Sequence, residues 1–339
     1  MSCLSFPLEP LLPKRFDALI NSQAFAPSNI ALSKYWGKRN HTLNLPTNSS
    51  FSISLGNYGT HTQISPSDKD TFVLNGETIA PQSALFQKTF TFVERIRRHQ
   101  PLPLTITTNN NIPTAAGLAS SASGFAALTK ALCHAFQLHW EDKALSILAR
   151  MGSGSASRSL WHGFVLWQMG MRDDGMDCYA KPLDTSWQDL RLVVVLISTA
   201  PKALSSTQGM NHTVSTSPLY KNWAETAEAD VKALQEAIAM QDFALLGKTA
   251  EANALAMHAT MLAARPAVCY FAPRTLSILQ TVWALRAEGL ALYATIDAGA
   301  NVKLLYPIQQ EEDVQSALKQ HLPNENLLYI NPFISSFPS

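Results

Sequence analysis

The chain has 339 residues, 46% of them hydrophobic and 15% charged, and its formal net charge at pH 7 is +1. A chain of this length favours two packed lobes, and a charge so close to zero removes any broad electrostatic case for binding nucleic acid. The longest apolar run, residues 192–197, is far too short to cross a bilayer, and residues 1–16 lack the continuous apolar core of a secretory signal. We therefore expect a cytoplasmic protein with neither a nucleic-acid nor a membrane partner.

The four cysteines agree with that expectation. Cys3, Cys133, Cys178 and Cys269 lie far apart and form no Cys-x-x-Cys pair and no Cys/His cluster with the spacing of a metal site. We expect reduced thiols that pack as small apolar residues, as is usual in the cytosol.

Apolar periodicity predicts both strands and helices in the first half of the chain. Alternation with period two predicts strands, and apolar residues three and four positions apart predict helices. The predicted elements are strands at 49–55, 102–108 and 163–167 and helices at 86–98, 122–136 and 142–150.

The second half is richer in predicted helix, so we expect an α+β class. The boundary is placed near residue 187, which gives an N-terminal lobe of residues 1–187 and a C-terminal lobe of residues 188–339. The predicted elements of the second lobe are helices at 220–240, 243–263, 274–288 and 312–321 and strands at 190–197, 291–296, 302–306 and 327–330.

Residues 113–123, Pro-Thr-Ala-Ala-Gly-Leu-Ala-Ser-Ser-Ala-Ser, run directly into a helical pattern. Backbone N–H groups at the beginning of a helix can cradle a phosphate, whose approach large side chains would block. Gly117, Ser120 and Ser121 therefore predict a nucleotide phosphate site, in which serine hydroxyls donate to phosphate or meet a metal ion. The alternative is a helix whose serines only cap its own first-turn amides.

Two further segments place charge among aromatic or small residues. Residues 26–39 hold three cations, including Lys34 and Lys38, and residues 296–301 hold Asp297 alone among small residues. Taken singly, the first segment could be a solvated edge and the second an ordinary turn.

In their order and wording these segments resemble the GHMP-kinase superfamily of small-molecule kinases, and within it the diphosphomevalonate decarboxylases. Five strings spread over nearly the whole chain carry the resemblance, so chance recurrence in one order is negligible. They lie at residues 29–50, 110–121, 152–160, 205–210 with 216–219, and 297–301. Ala300 stands where the family has Pro and Ser157 where Cys is common, and neither change removes a group with an assigned role.

The resemblance implies a two-lobed GHMP-kinase-like fold with the active site in the cleft between the lobes. It implies conversion of mevalonate 5-diphosphate and ATP into isopentenyl diphosphate, ADP, phosphate and carbon dioxide, in the mevalonate pathway of isoprenoid biosynthesis. The C3 hydroxyl is phosphorylated first, with Mg²⁺ bridging phosphate oxygens of ATP. The resemblance also implies a homodimer.

Site residues follow from the same resemblance. Asp297 is the base or orienting group for the C3 hydroxyl, Arg158 holds the substrate carboxylate, and Lys34 tempers the negative charge. The residues implied for the substrate diphosphate are Tyr35, Lys38, Ser153, Ser155, Gly209 and Met210. The residues implied for ATP are Asn110, Gly117, Leu118, Ala119, Ser120, Ser121 and Ser123, with Ser121 also a magnesium ligand.

Three alternatives stay open at this point. A kinase of the same fold could phosphorylate mevalonate or a relative at C3 and stop there. A decarboxylase could act on the monophosphate instead of the diphosphate. A non-catalytic small-molecule sensor could have kept the fold.

Overall fold

The computed structural model describes residues 6–112, 120–198, 200 and 203–334. Within those residues the strands form two large sheets and one short hairpin, and helices pack against both large sheets. The predicted α+β class is confirmed.

The first sheet is built from the N-terminal part of the chain. Its strands and those of the hairpin are β1 (Ser22–Ser33), β2 (Lys38–Asn40), β3 (Leu45–Pro46), β4 (Ser50–Pro66), β5 (Thr71–Leu74), β6 (Glu77–Thr78), β7 (Leu104–Asn110), β8 (Phe164–Trp167) and β9 (Ala180–Pro182). The sheet order is β6-β5-β7-β4-β8-β9, β1 pairs antiparallel with β4, and β2 and β3 form the hairpin.

Three helices accompany this sheet: α1 (Ala84–Arg97), α2 (Ser120–Ala135) and α3 (Asp142–Gly152). Helix α1 begins at Ala84 because the Ser83 side chain accepts a hydrogen bond from the Phe86 N–H at 3.2 Å. It ends at Arg97, and the next residue, Arg98, adopts a left-handed conformation with φ 50°. A 3₁₀ turn, Gly154–Ser159, follows α3.

The second sheet is fully antiparallel and belongs to the C-terminal part. Its elements are β10 (Leu190–Leu196), α4 (Ser206–Thr216), α5 (Tyr220–Ala239), α6 (Phe243–Leu262), α7 (Pro273–Ala287), β11 (Tyr293–Ile296), β12 (Val302–Pro307), α8 (Glu311–His321) and β13 (Asn326–Ile330). The strand order is β11-β12-β10-β13.

Strand β12 carries one charged residue, Lys303, on the face opposite its apolar side chains. Val302, Leu304 and Tyr306 are buried in one apolar cluster with residues of α7 and α8. Lys303 lies between them in the strand, so its side chain extends from the opposite face. Lys303 pairs with Thr295 of β11, and paired residues of antiparallel strands share one face.

An apolar cluster joins the two sheets. It contains Ile30 and Phe51 from the first sheet and Leu192 and Val194 from the second. The last described residues also return to the first sheet, where the Ser54 hydroxyl donates to the Pro332 carbonyl at 2.6 Å. The sheets divide between β9 and β10, while the lobe boundary near residue 187 stays a prediction.

Every predicted helix and strand is present, and all but one have ends within two residues of the predicted ends. The exception is the strand at 49–55, which continues to Pro66 as β4. The prediction missed two long elements, β1 and α4, and the short strands β2, β3, β5, β6 and β9. Strand β1 is buried from Phe25 to Ser33 on both faces and lacks a polar alternation, so its sequence carries no period-two signal.

Burial of the cysteines differs in part from the expectation. Cys133 and Cys178 are buried, as predicted. Cys269 is exposed, so the expectation of a packed thiol is wrong there, and Cys3 lies outside the described residues. Across the described part of the chain, no helix has the length and apolar character needed to span a membrane.

Candidate active site

A cavity of about 580 Å³ lies where the two sheets meet. Among the described residues that line it, five are lysine or arginine and one is acidic. This excess of positive charge favours the binding of anions. The charged residues are Lys34, Lys38, Lys88, Arg95, Arg158 and Asp297.

Asp297 is the first residue after β11, and its carboxylate is held at both oxygens. Lys34 Nζ lies 2.8 Å from Oδ1, and Lys303 Nζ lies 3.0 Å from Oδ2. Both lysine side chains are only 2% exposed, whereas the Asp297 side chain is 33% exposed. Burial raises the pKa of Asp297, but Lys303 and Lys34 outweigh it and hold that pKa well below its usual range. Asp297 is therefore an ionised carboxylate with one edge towards the cavity.

Lys34 follows directly after β1 and is completely hydrogen-bonded. Its ammonium donates to the Ala31 carbonyl at 2.8 Å, to Thr295 Oγ1 at 2.7 Å and to Asp297 Oδ1. These three bonds use all three ammonium protons. Burial lowers the pKa of Lys34 to about 8, against the opposing effect of Asp297. The backbone N–H of Lys34 donates to Asn253 Oδ1 of α6 at 2.8 Å, which fixes the strand end.

Arg158 lies in the Gly154–Ser159 turn and is buried without an ion pair. Its Nη1 donates to Ser50 Oγ at 2.5 Å, and its guanidinium lies 5.6 Å from the centre of the Trp167 ring. Within the part of the chain that the structure describes, Arg158 has no carboxylate within ion-pair distance and its Nε has no hydrogen-bond partner. Burial lowers its pKa to about 10, while Asp297 opposes that change. A buried cation without a counter-ion is costly, so Arg158 is suited to bind an anion.

All the candidate residues for the substrate diphosphate except Gly209 line the same cavity as Arg158 and Asp297. Tyr35 packs edge-on against Trp167, with 4.9 Å between ring centres, and its buried hydroxyl has no partner among the described residues. Lys38 Nζ donates to Asn44 Oδ1 at 2.6 Å. Ser153 and Ser155 lie in the cavity wall with their hydroxyl oxygens 3.4 Å apart.

Two glycines beside these residues allow close packing. A Cβ at Gly154 would lie 2.8 Å from the Tyr35 ring, so a larger residue would displace that ring. A Cβ at Gly209 would lie 2.4 Å from the Tyr270 hydroxyl. Gly209 thus packs behind the cavity, while the next residue, Met210, lines it.

Two family models cover most of the chain. Residues 26–180 match the diphosphomevalonate decarboxylase-like N-terminal domain, and residues 192–333 match the mevalonate 5-diphosphate decarboxylase C-terminal domain. The chain belongs to the diphosphomevalonate decarboxylase family. The resemblance inferred from five sequence strings is therefore confirmed.

Named relatives and solved structures agree with this family. The diphosphomevalonate decarboxylase of Saccharomyces cerevisiae is 38% identical over 84% of this chain and 78% of its own length. The crystal structure of mevalonate diphosphate decarboxylase from Staphylococcus aureus is 35% identical, covers 93% of this chain and 96% of its own, and gives a TM-score of 0.86. A complex of MDDEF with MVAPP, AMPPCP and magnesium is 37% identical, covers 95% of this chain and all of its own, and gives a TM-score of 0.85.

The nucleotide candidates of this decarboxylase-family chain divide into three groups. Ser121 lines the cavity. Gly117, Leu118 and Ala119 lie outside the described residues, as does the side chain of Ser120.

Ser123 and Asn110 lie in a buried chain of hydrogen bonds instead of in the cavity wall. Ser28 Oγ donates to Ser123 Oγ at 3.0 Å, Ser123 and Thr60 hydroxyls are 2.8 Å apart, and Thr60 Oγ1 donates to Asn110 Oδ1 at 2.6 Å. Ser123 is fully buried. The structure thus gives both residues contacts that connect α2 to the first sheet, and their assignment to ATP stays a prediction.

Helix α1 supplies two cavity residues that the sequence analysis missed. Lys88 and Arg95 are seven positions apart, so both project from one face of the helix. Burial lowers the pKa of both side chains. Lys88 also lies 4.7 Å from the centre of the Phe125 ring. Their helical spacing within the predicted helix at 86–98 is the sequence signal that could have identified them.

Lys303 is the third missed residue. Its sequence context indicated no role, yet its ammonium group contacts Asp297 directly. The sequence feature that could have identified Lys303 is its position inside an apolar strand, six positions after a lone aspartate. A buried lysine requires an acidic partner, and that aspartate is the nearest one in the sequence.

The described residues contain no group of three or more histidine, cysteine or acidic side chains that could hold a metal ion. Magnesium bound to a nucleotide does not need such a group, since phosphates and water supply most of its ligands. The Ser121 hydroxyl, exposed in the cavity wall, is an oxygen ligand of the required type. The donor set therefore fits a magnesium ion carried by ATP.

Proposed function

We propose that this protein converts mevalonate 5-diphosphate and ATP into isopentenyl diphosphate, ADP, phosphate and carbon dioxide. Membership of the decarboxylase family supports the reaction. The main observation is that one cavity contains both an ionised acceptor, Asp297, and a buried cation without a counter-ion, Arg158. Phosphorylation of a hydroxyl requires an acceptor such as Asp297, and a departing carboxylate requires a cation such as Arg158.

The first step is transfer of the ATP γ-phosphoryl group to the C3 hydroxyl. A tertiary hydroxyl is a poor leaving group, and phosphorylation corrects this. Asp297 accepts the hydrogen bond of the C3 hydroxyl and directs its oxygen towards phosphorus. Since phosphoryl transfer has a loose transition state, this alignment contributes more than early removal of the proton.

Lys34 contributes through its charge. All three of its protons are donated to protein acceptors, so it is not free to bond the transferring group directly. Its fixed positive charge beside Asp297 stabilises the negative charge that accumulates between the carboxylate and the phosphoryl group.

Arg158 holds the C1 carboxylate for the second step. Departure of the C3 phosphate leaves positive charge at C3, and the electrons of the C1–C2 bond quench it as carbon dioxide leaves. The planar guanidinium orients the carboxylate for this cleavage. Its free Nε and its burial support this role.

The remaining cavity residues bind the two polyphosphates. The substrate diphosphate is held by Tyr35, Lys38, Ser153, Ser155, Met210 and the backbone near Gly209. The ATP phosphates are held by Gly117, Leu118, Ala119, Ser120 and Ser121, with Lys88 and Arg95 of α1 also facing the cavity. Mg²⁺, when bound by the phosphates and Ser121, neutralises part of their charge.

Some wider properties also belong to this proposal. Residues 1–187 form an ATP-binding lobe and residues 188–339 a C-terminal lobe. The protein acts in the cytoplasm as a homodimer. Size-exclusion chromatography with light scattering tests the dimer, since a monomeric mass at micromolar concentration would contradict it.

The proposed reaction is tested by incubating the purified protein with ATP, Mg²⁺ and mevalonate 5-diphosphate and following ADP and carbon dioxide together. We expect equal release of the two. ADP without carbon dioxide would indicate a C3 kinase, and turnover of only the monophosphate would change the substrate. Release of neither product from either substrate would leave a sensor.

A further inference from the structure

Lys303 lies in a position where an ordinary strand would carry an apolar residue. Its neighbours Val302 and Leu304 are fully buried, and Lys303 itself is only 2% exposed. Placing an ammonium group there is costly unless it makes a strong interaction. The interaction that it makes is with Asp297 Oδ2 at 3.0 Å, and its other contact is a longer one of 3.4 Å to the Asn301 carbonyl.

The two lysines approach Asp297 from different parts of the fold. Lys34 reaches Oδ1 from the end of β1 in the first sheet, and Lys303 reaches Oδ2 from β12 in the second. Each carboxylate oxygen has two lone pairs, so one remains on each oxygen for the cavity. With both oxygens held, the carboxylate cannot rotate about its Cβ–Cγ bond without breaking an ion pair.

We infer that Lys303 is a positioning residue of the reaction. Lys303 fixes the plane of the Asp297 carboxylate, so that the free lone pairs of the carboxylate face the C3 hydroxyl. This inference rests on the proposed function. It adds that Asp297 works as a clamped, permanently ionised acceptor and does not act as an acid. Lys303 itself lies on the far side of Asp297 and does not line the substrate cavity.

The charges around Asp297 agree with this role. The groups that face it are Lys34 from β1, Lys303 from β12, Arg158 from the turn after α3 and His258 from α6. Burial lowers the pKa of His258 to about 3, so its ring is neutral at physiological pH. The carboxylate is thus surrounded by three cations, and removal of Lys303 takes away the one with the largest Coulombic effect on its pKa.

A second cavity makes this role accessible to experiment. A space of about 350 Å³ lies behind Asp297, and its described walls include Lys303, Tyr270 and Val268. If Lys303 is shortened to alanine, a small alkylammonium ion from this side can occupy the vacated position beside Asp297 Oδ2. An amine that enters there does not compete with substrates in the other cavity.

The test is chemical rescue of Lys303→Ala in the full-length protein. We expect kcat to fall by about 10²-fold, since small misplacements of reacting groups have effects of this size, with KM for both substrates unchanged. Added n-propylamine should restore kcat in a saturable way, whereas n-propanol, which has the same size and no charge, should not. Lys319→Ala, which removes an exposed lysine from α8, is the matched control.

A second variant, Lys303→Met, keeps the bulk of the side chain and tests the charge alone. Loss of Lys303 raises the pKa of Asp297, so kcat should acquire a decline as the pH falls, while the wild-type profile stays flat there. Carbon-13 NMR of labelled aspartate, with Asp297→Asn to assign the signal, reads the same change without turnover. Full activity of Lys303→Ala, equal rescue by n-propanol, or an unchanged Asp297 titration would overturn the inference. Wild-type protein that releases no ADP from mevalonate diphosphate would instead contradict the proposed function. The NMR titration of Asp297 does not depend on that function, so the two failures can be distinguished.

Discussion

Asp297 Oδ1 lies 2.8 Å from Lys34 Nζ, although 263 positions separate the two residues in the chain. Lys34 follows the last residue of β1, and Asp297 follows the last residue of β11. The proposed reacting centre is therefore the meeting point of two strand ends from two different sheets. It exists only when both sheets have formed and packed together, and Asn253 of α6 also holds the end of β1 by accepting the Lys34 backbone N–H.

Replacing Asp297 by asparagine should abolish ADP formation while leaving substrate binding intact. The amide keeps the size of the side chain but loses the negative charge that pairs with two lysines and that we propose aligns the C3 hydroxyl. Isothermal titration with mevalonate diphosphate measures binding, and a coupled ADP assay measures turnover. Near-normal turnover in Asp297→Asn would remove this residue from the mechanism.

Arg158→Gln should reduce carbon dioxide release more than it changes the affinity for ATP. We expect a loss of about 10²-fold or more in kcat, because a buried charged donor to the reacting carboxylate is lost. The protein should remain folded, since no carboxylate within ion-pair distance of Arg158 is left unpaired in the described chain. Arg172→Gln, at a 63% exposed side chain, is the control. Unchanged turnover would show that the carboxylate is bound elsewhere.

Two serines of α2 should respond to alanine in different ways. Ser121→Ala should raise KM for ATP with no loss of stability, because its hydroxyl faces the cavity. Ser123→Ala should lower the free energy of unfolding by about 1–3 kcal/mol, because Ser28 and Thr60 each lose a buried partner. Urea denaturation and ATP kinetics on both variants separate the effects. An unchanged KM in Ser121→Ala would return that serine to a helix-capping role.

The activity should decline at alkaline pH as Lys34 loses its proton. Its pKa is lowered to about 8, and the protonated form supplies the charge beside the phosphoryl group. The decline should appear in kcat/KM, which reports the free enzyme. Because the unfolded chain holds this proton to higher pH than the folded chain does, its loss does not reduce stability, and circular dichroism should show an intact fold. A flat profile up to about pH 10, the ordinary range of lysine, would contradict this role.

The sequence allows much of the fold to be predicted because most elements carry a clear period. Helix α1 has a buried apolar face, a serine cap and a predicted range close to the observed one. Strand β1 could not be predicted in this way, because small residues such as Ala31 and Ser33 are buried on both of its faces. Its position depends on β4 and α2 packing against it, which is a tertiary property.

The site shows the same division. Lys34, Arg158 and Asp297 could be named because they lie in strings that resemble a family. Lys303 lies only a few positions beyond such a string, and its importance depends on a register: Lys303 opposes Thr295 across β11 and β12. No local pattern specifies that pairing, so only the folded sheet reveals the second ion pair of Asp297.

The most direct test of the account follows the oxygen atom of the C3 hydroxyl. Mevalonate diphosphate labelled there with oxygen-18 is turned over with ATP and Mg²⁺, and the released inorganic phosphate is analysed by mass spectrometry. If Asp297 directs this hydroxyl to the γ-phosphorus, the label must leave C3 within the phosphate. Label found in water, with unlabelled phosphate, would show that ATP is cleaved without phosphorylation of C3 and would contradict the proposed mechanism.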